Sequence, residues 1–404
     1  MSALFDDLTP IKATYMRGGT SKGVFFALDD LPPVARVPGS ARDQLLLRVI
    51  GSPDPYGKQI DGMGGGSSST SKVVLVSRST CHDCDVDFLF GAVSIESPMI
   101  DWSGNCGNLT AAVGPFAITR GLVNAPPEGM VAIRIWQANI GKKIIAHVPV
   151  VQGRVVEAGG FVLDGVTFPS AEIKLEFLDP GADEEGTGGA MLPTGRVLEH
   201  LEVPGIGCIE ATLINAGNPS IFVAAEDLGL RGDETQAEVN SNQELLGWLE
   251  AIRAHGAVAM GLVTSADDAT RNRPHTPKLA FLAPPKDFIA TGGKRVAASE
   301  IDLLARIMSM GQLHHALTGT GAVAIAAAAA IPDTLVARML RPGTDKQTRI
   351  GHASGILTVG AQAQQTETGW HISKVVTSRS ARRLMTGEVF PAPQAKEGKQ
   401  SLES

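Results

Sequence analysis

Two loops in this chain of 404 residues are built almost entirely from small residues and hydrogen-bond donors. Gly62-Met63-Gly64-Gly65-Gly66-Ser67-Ser68-Ser69-Thr70-Ser71-Lys72 ends in an ammonium, and Arg17-Gly18-Gly19-Thr20-Ser21-Lys22-Gly23 repeats that chemistry with a guanidinium at its head. Neither is a nucleotide-phosphate loop. That motif places Gly-Lys-Ser/Thr at the start of a helix, whereas Lys72 leads into a strand-like run at 73–76. A mobile backbone with free N–H groups, hydroxyls and one cation suits a small polyanion such as a di- or tricarboxylate. The bland alternative is a flexible surface loop with a solvated lysine.

A third small-residue loop, Gly104-Asn105-Cys106-Gly107-Asn108, puts a thiol where an apolar helix begins. Thiols at helix N-termini give up their proton more readily than in water, so Cys106 could act as acid or base. It could equally be small and buried. Cys208, in a strand-like run, reads as core filler. Cys81-His82-Asp83-Cys84 has C-x-x-C spacing, but a structural zinc site needs four ligands and the chain has no second such pair. A redox pair would open a helix, and this one precedes a strand, so it reads as a polar turn. His275-Thr276-Pro277-Lys278 and His314-His315 lack acids at regular spacing, and no metal site is expected from them.

The elements that position these groups follow from periodicity. Alternating or continuous apolar runs bounded by turn residues predict strands at 11–15, 24–27, 73–77, 86–90, 131–136, 144–151, 208–213 and 220–224. An amphipathic helix is expected at 40–50 with Ser40 as cap. Another is expected from Ser241 with Glu244 at the capping-box spacing, and a third over 299–310, stopped by Gly311. Residues 108–118 (NLTAAVGPFAI) and 320–331 (TGAVAIAAAAAI) are of another kind. A helix apolar on every side must be buried on every side. Each is entered through a small-residue loop, the second through Gly319-Thr320-Gly321, so two helix N-termini with unpaired N–H groups could face one cleft and bind anions. Strands around a central helix, twice, is an α+β design. The acidic, glycine-rich stretch 181–190 is the expected linker.

Composition narrows the classes. Lys plus Arg number 35 against 42 Asp plus Glu, a net charge of -7, which excludes the basic face that nucleic acid demands. The longest apolar run, 322–331, is half of the ~20 residues a bilayer helix requires, and the N-terminus carries acids where a signal peptide carries bases. A cytoplasmic protein is therefore expected, without a membrane or nucleic-acid partner. Four irregularly spaced cysteines make no disulfide framework.

The motifs together resemble the PrpF family, the 2-methylaconitate cis/trans isomerases of the methylcitrate route of propionate breakdown. The resemblance rests on Ala13-Thr14-Tyr15-Met16-Arg17-Gly18-Gly19-Thr20-Ser21-Lys22-Gly23, Ile60-Asp61-Gly62-Met63-Gly64-Gly65, Asp101-Trp102-Ser103-Gly104-Asn105-Cys106-Gly107-Asn108 and Gln137-Ala138-Asn139-Ile140-Gly141. It continues through Asn215-Ala216-Gly217-Asn218-Pro219, His275-Thr276-Pro277-Lys278 and Met308-Ser309-Met310-Gly311, from about residue 11 to about 390. It implies a diaminopimelate epimerase-like α+β fold: two pseudo-symmetric domains, each a curled, mostly antiparallel sheet around a central helix. The domains would be 1–185, completed by a C-terminal strand at 376–392, and 186–375, followed by a flexible tail at 393–404. Epimerases of that fold carry a cysteine at each central helix start. Cys106 is kept here, but the second position resembles Thr318, so the two-thiol pair is missing.

The resemblance implies a cofactor-independent isomerase acting on a methylated aconitate, with Lys72 and Cys106 moving the proton and no metal. Arg17, Thr20, Ser21, Gly64, Gly65, Ser67, Ser103, Asn105, Gly107, Asn108, Lys278, Ser309, His315, Gly319 and Thr320 are the expected substrate-binding residues. Two rival activities remain open: a 4-oxalomesaconate keto-enol tautomerase, and a non-catalytic accessory protein of a methylcitrate dehydratase. A functional partnership with that dehydratase and a homodimer are further open expectations.

Overall fold

The computed structural model describes residues 10–181, 190–344, 347–367 and 369–392. Most of the expected linker, at 182–189, and the expected tail at 393–404 lie outside the described residues.

Eight strands of the first half close into a ring. Ile11–Gly18 and Ser21–Ala27 form a hairpin, Ser21–Ala27 runs parallel to Lys72–Arg78, and that strand turns back onto Val86–Val93. Val86–Val93 runs parallel to Glu128–Gln137, after which Lys142–Val151, Glu172–Leu178 and Gly369–Val389 follow antiparallel. Gly369–Val389 then pairs with Ile11–Gly18 and shuts the ring. The second half repeats the succession. Glu199–Val203, Gly207–Ala216 and Asn218–Ala224 are antiparallel, Asn218–Ala224 runs parallel to Lys278–Ala283, and Leu303–Ser309 follows antiparallel. Leu303–Ser309 runs parallel to Gln347–His352, which leads to Gly355–Thr366 and again to Gly369–Val389. Among the described residues no pairing joins Gly369–Val389 to Glu199–Val203, so this curl stays open. The 21-residue strand Gly369–Val389 belongs to both sheets: Lys374 and Thr377 each have one partner on Gly355–Thr366 and another on Glu172–Leu178.

Each curl wraps one helix, Thr110–Thr119 in the first and Gly319–Ala329 in the second. With sheet all round there is no solvated face, and these helices accordingly carry no charged side chain. Both join one continuous apolar core that spans the two halves. Outside the sheets, helix Ser40–Ile50 packs on the first curl and helix Gln243–Ala259 on the second. The strands beneath these outer helices are therefore buried on both faces, and their side chains alternate between layers with the strand period of two: Phe25 and Val74 point to the helix, Phe26 and Leu75 away from it.

Four local expectations are overturned. Cys208 is exposed and fills no core. Residues 303–309 form a strand, not part of a helix: Leu303 and Ala305 face the central helix while Leu304 and Met308 face the outer layer, so both sides are apolar and the period is lost in sequence. The helix expected from Ser241 is capped by Asn242, whose side chain accepts from the Leu245 N–H, and the capping box lies one helix earlier, at Thr235 and Glu238. Ser40 does not cap its helix. Gly39 holds that position, and the Ser40 hydroxyl takes the Gln44 amide instead.

Candidate active site

The two central helices meet nearly end to end. A Cβ built on Gly107 would lie 2.8 Å from the Gly319 carbonyl carbon and the Thr320 nitrogen, and one built on Gly319 would fall between Gly107 and the Asn108 nitrogen. Only glycine allows backbone to touch backbone in this way. The Asn105 N–H donates to Asn218 Oδ1 (2.8 Å), and Asn218 Nδ2 donates to the Asn105 carbonyl (3.0 Å) and to Thr320 Oγ1 (3.2 Å), stitching the two ends together. Cys106 accepts the Leu109 N–H on its sulfur at 3.5 Å, and its carbonyl accepts the Thr110 N–H at 3.0 Å, so the helical bonding starts at Cys106 itself. Thr318 caps the second helix by accepting the Gly321 N–H at 3.1 Å.

Beside this junction lies a cleft enclosing about 270 Å³ including its mouth. Of the residues expected from sequence, it brings together Lys72, Cys106, Ser21, Asn105, Gly107, Asn108, Lys278, Ser309, Gly319 and Thr320. Lys72 opens strand Lys72–Arg78, is 5% exposed, and holds its ammonium 4.9 Å above the Phe90 ring. Asn105 Nδ2 is buried with no hydrogen-bond partner among the described residues, a donor left for whatever occupies the cleft.

The remaining expected residues are elsewhere. The Arg17 guanidinium donates to the carbonyls of Gly19 and Ser380 and to the hydroxyls of Ser380 and Ser170, tying the first hairpin to the shared strand. Burial, with Arg382 adding to it, lowers its pKa to about 10. Thr20 accepts from Asn108 Nδ2 at 3.0 Å, behind the cleft wall. The loop carrying Gly64, Gly65 and Ser67 does not line this cleft: it wraps the buried Gln59, whose Oε1 accepts from the Gly66 N–H and the Ser71 hydroxyl. The Ser67 hydroxyl bonds with those of Ser69 and Thr70. Ser103 bonds with Thr276 Oγ1 at 2.8 Å. His315 stacks on His314 at 4.6 Å and is only half-buried; His314 is the one that lines the cleft.

Sequence reasoning missed His314 and His275 as cleft residues. The second had a signal, since it leads the His275-Thr276-Pro277-Lys278 motif; adjacent histidines at a turn give none. His275 stands in a defined network. Its backbone N–H donates to Asp101 Oδ2 (2.8 Å), its Nε2 lies 3.3 Å from the Asn105 carbonyl, and its Nδ1 lies 3.2 Å from Lys278 Nζ. A carbonyl only accepts, so Nε2 carries the hydrogen and Nδ1 accepts from Lys278. Burial first, then the charges of Lys278 and Lys72, hold His275 neutral, well below the usual imidazole pKa. His314 is held neutral in the same way, by burial, His315 and Lys72. Burial and the Lys72 charge bring Lys278 itself down to about 7. Asp101 gives one oxygen to the Ser103 N–H and the other to that of His275, so its charge is met by backbone. The result is a small cleft with two amines, a thiol, two helix N-termini and several free donors: a receptor for a compact polyanion, with proton-transfer groups in its walls.

Among the described residues no three His, Cys, Asp or Glu side chains gather as a metal site would require, and no helix is long and apolar enough to cross a membrane.

The chain is similar to known isomerases over nearly its whole length. A 2-methyl-aconitate isomerase of Shewanella oneidensis is 60% identical over 394 residues, 96% of this chain and 99% of that protein. A second, from Cupriavidus necator, is 60% identical over 382 residues, 94% and 96% respectively. The crystal structure of a methylitaconate-delta-isomerase, 35% identical, superposes with a TM-score of 0.74 and covers 98% of this chain and 100% of that one. The sheet-rich α+β architecture is thus that of a known isomerase. The family model for the PrpF protein matches residues 8–392, which takes in both curls and the strand they share, and the chain belongs to that family.

Proposed function

We propose that this protein isomerises 2-methylaconitate, interconverting the trans acid, or its double-bond isomer, with 2-methyl-cis-aconitate in propionate catabolism. The observation that carries the reading is the cleft lined by Lys72 and Cys106 beside two abutting helix N-termini.

The substrate carries a proton on carbon beside a double bond conjugated to carboxylate. Removing it sends the electron pair into that carboxylate as a dienolate, the carbon–carbon bond order falls, and a proton returned after rotation or at another carbon completes the isomerisation. The backbone N–H groups at Gly107-Asn108 and Gly319-Thr320, with Asn105 Nδ2 and the hydroxyls of Ser21 and Ser309, hold the carboxylates and the charge that develops on them. Lys72 moves the proton, and Cys106 shares in that transfer or positions the dienolate. The two halves act as two domains, 1–185 and 186–375, with the site at their junction.

Incubating the purified protein with 2-methyl-trans-aconitate and following the methyl and methylene signals by proton NMR tests this. Appearance of the cis isomer without any addition supports it. Faster turnover of 4-oxalomesaconate, followed by ultraviolet absorbance in parallel, overturns the choice of substrate.

A further inference from the structure

The internal repeat relates more than the helices. In each half, the strand that runs parallel to the second arm of the hairpin begins with a lysine at the cleft: Lys72 opens Lys72–Arg78 beside Ser21–Ala27, and Lys278 opens Lys278–Ala283 beside Asn218–Ala224. Lys278 is 2% exposed, and the partner of its Nζ is an imidazole nitrogen rather than a carboxylate. His275 is fixed in turn by the Asp101 carboxylate on its own N–H and by the Asn105 carbonyl on Nε2, so the Lys278 amine has a defined direction. A fully buried amine with a neutral acceptor as partner has no structural need to be a lysine.

We propose that Lys278 is the second proton-transfer residue of this cleft, an amine steered by His275 and matched by the repeat to Lys72. The inference rests on the isomerase reading and fills the place left by the missing second thiol. The Lys278 amine takes the proton of the substrate carbon: the C–H bond breaks, an N–H bond forms, and the electron pair enters the conjugated carboxylate. The Lys72 ammonium then gives a proton to a carbon of the dienolate, its N–H bond breaking as the new C–H bond forms. Exchange with water resets both amines, and the reverse reaction uses them in the opposite order. Cys106 is left to position the dienolate.

The groups around Lys278 are consistent with a free amine at neutral pH. Burial comes first, then the charge of Lys72 and that of Arg253 from helix Gln243–Ala259; Asp101 and Cys106 oppose them, and the balance lies at about 7. His275 and His314 face it as neutral imidazoles.

The test uses Lys278→Ala and the wild type. The variant is expected to lose ~10²- to 10⁴-fold in kcat while binding trans-aconitate within about threefold of wild type, and to recover activity in proportion to added propylamine free base. Reductive methylation of the wild type, read peptide by peptide across pH without any substrate, is expected to show Lys278 reacting with a midpoint near 7. A variant that keeps kcat and loses only trans-aconitate binding overturns the proposal, as does a methylation midpoint in the ordinary lysine range. A wild type that does not turn over 2-methylaconitate strikes the substrate reading instead, and the methylation midpoint still decides the state of Lys278.

Discussion

Lys72→Ala removes a buried cation from a cleft that already contains Lys278, Arg253 nearby and two helix N-termini, so the fold loses little and the chemistry loses a proton-transfer group. Turnover is expected to fall by ~10²- to 10⁴-fold with an unchanged melting temperature, measured by NMR-followed isomerisation and by calorimetry. Cys106 offers a second test. It is 8% exposed, and that exposure opens into the cleft, so iodoacetamide should label it in the free enzyme and fail once trans-aconitate is bound. Peptide mapping must separate it from the exposed Cys208, whereas Cys84, buried and pushed up to about 12, should stay unlabelled. Equal labelling with and without ligand would remove Cys106 from the site. At this scale the sequence revealed residues whose type is rare in its setting: a lysine after eight small residues, a thiol between Asn105 and Gly107. It could not separate Arg17 and Ser67 from the residues that line the cleft, because a donor in a loop reads the same whether it faces a cleft or, as here, Ser380 and Thr70.

The contact between the helix ends gives the sharpest expectation for elements. Gly107→Ala or Gly319→Ala drives a methyl into backbone that has no rotamer to yield, and should cost ~1–3 kcal/mol as overpacking does, along with most of the activity. Gly160→Ala, where the methyl meets nothing within 4 Å, is the control and should melt like wild type. A Gly107→Ala protein with native melting temperature and native turnover would mean that the ends do not abut in solution. The two central helices were legible because the absence of charge over ten residues admits few explanations. Strand Leu303–Ser309 was not, because burial on both faces erases the alternation that distinguishes a strand from a helix. The pairing of strands was never in the local pattern at all: the parallel partners Val24 and Val73, or Leu303 and Ile350, are brought together by topology that no window of sequence contains.

For the molecule as a whole, buried neutral histidines set the response to acid. Burial, then Arg306 and Arg379, lowers His352 to about 3, and His275 and His314 are shifted the same way. The unfolded chain binds protons on these rings below about pH 6.5 while the folded chain refuses them, so their contribution to stability is intact above that pH and drains away as pH falls toward 3. The melting temperature should drop steadily from pH 7 to pH 4, and His352→Asn should flatten the slope; an equal slope in the variant would exclude His352 as a cause. Strand Gly369–Val389 has a consequence of another order. A ribosome delivers the chain in sequence, and this strand emerges behind every segment it pairs with. Until it does, the first ring lacks its closing stave, the second curl lacks its last, and two uncharged helices wait inside sheets with an open seam. Pairing Ile11 with Val389 closes a loop spanning nearly the whole chain, at ~5 kcal/mol of chain entropy, so little of that ring can form early. The vulnerable species in the cell is accordingly the nascent chain from which this strand has not yet emerged. It is there that a holding chaperone, or a pause in translation, would decide the yield of protein.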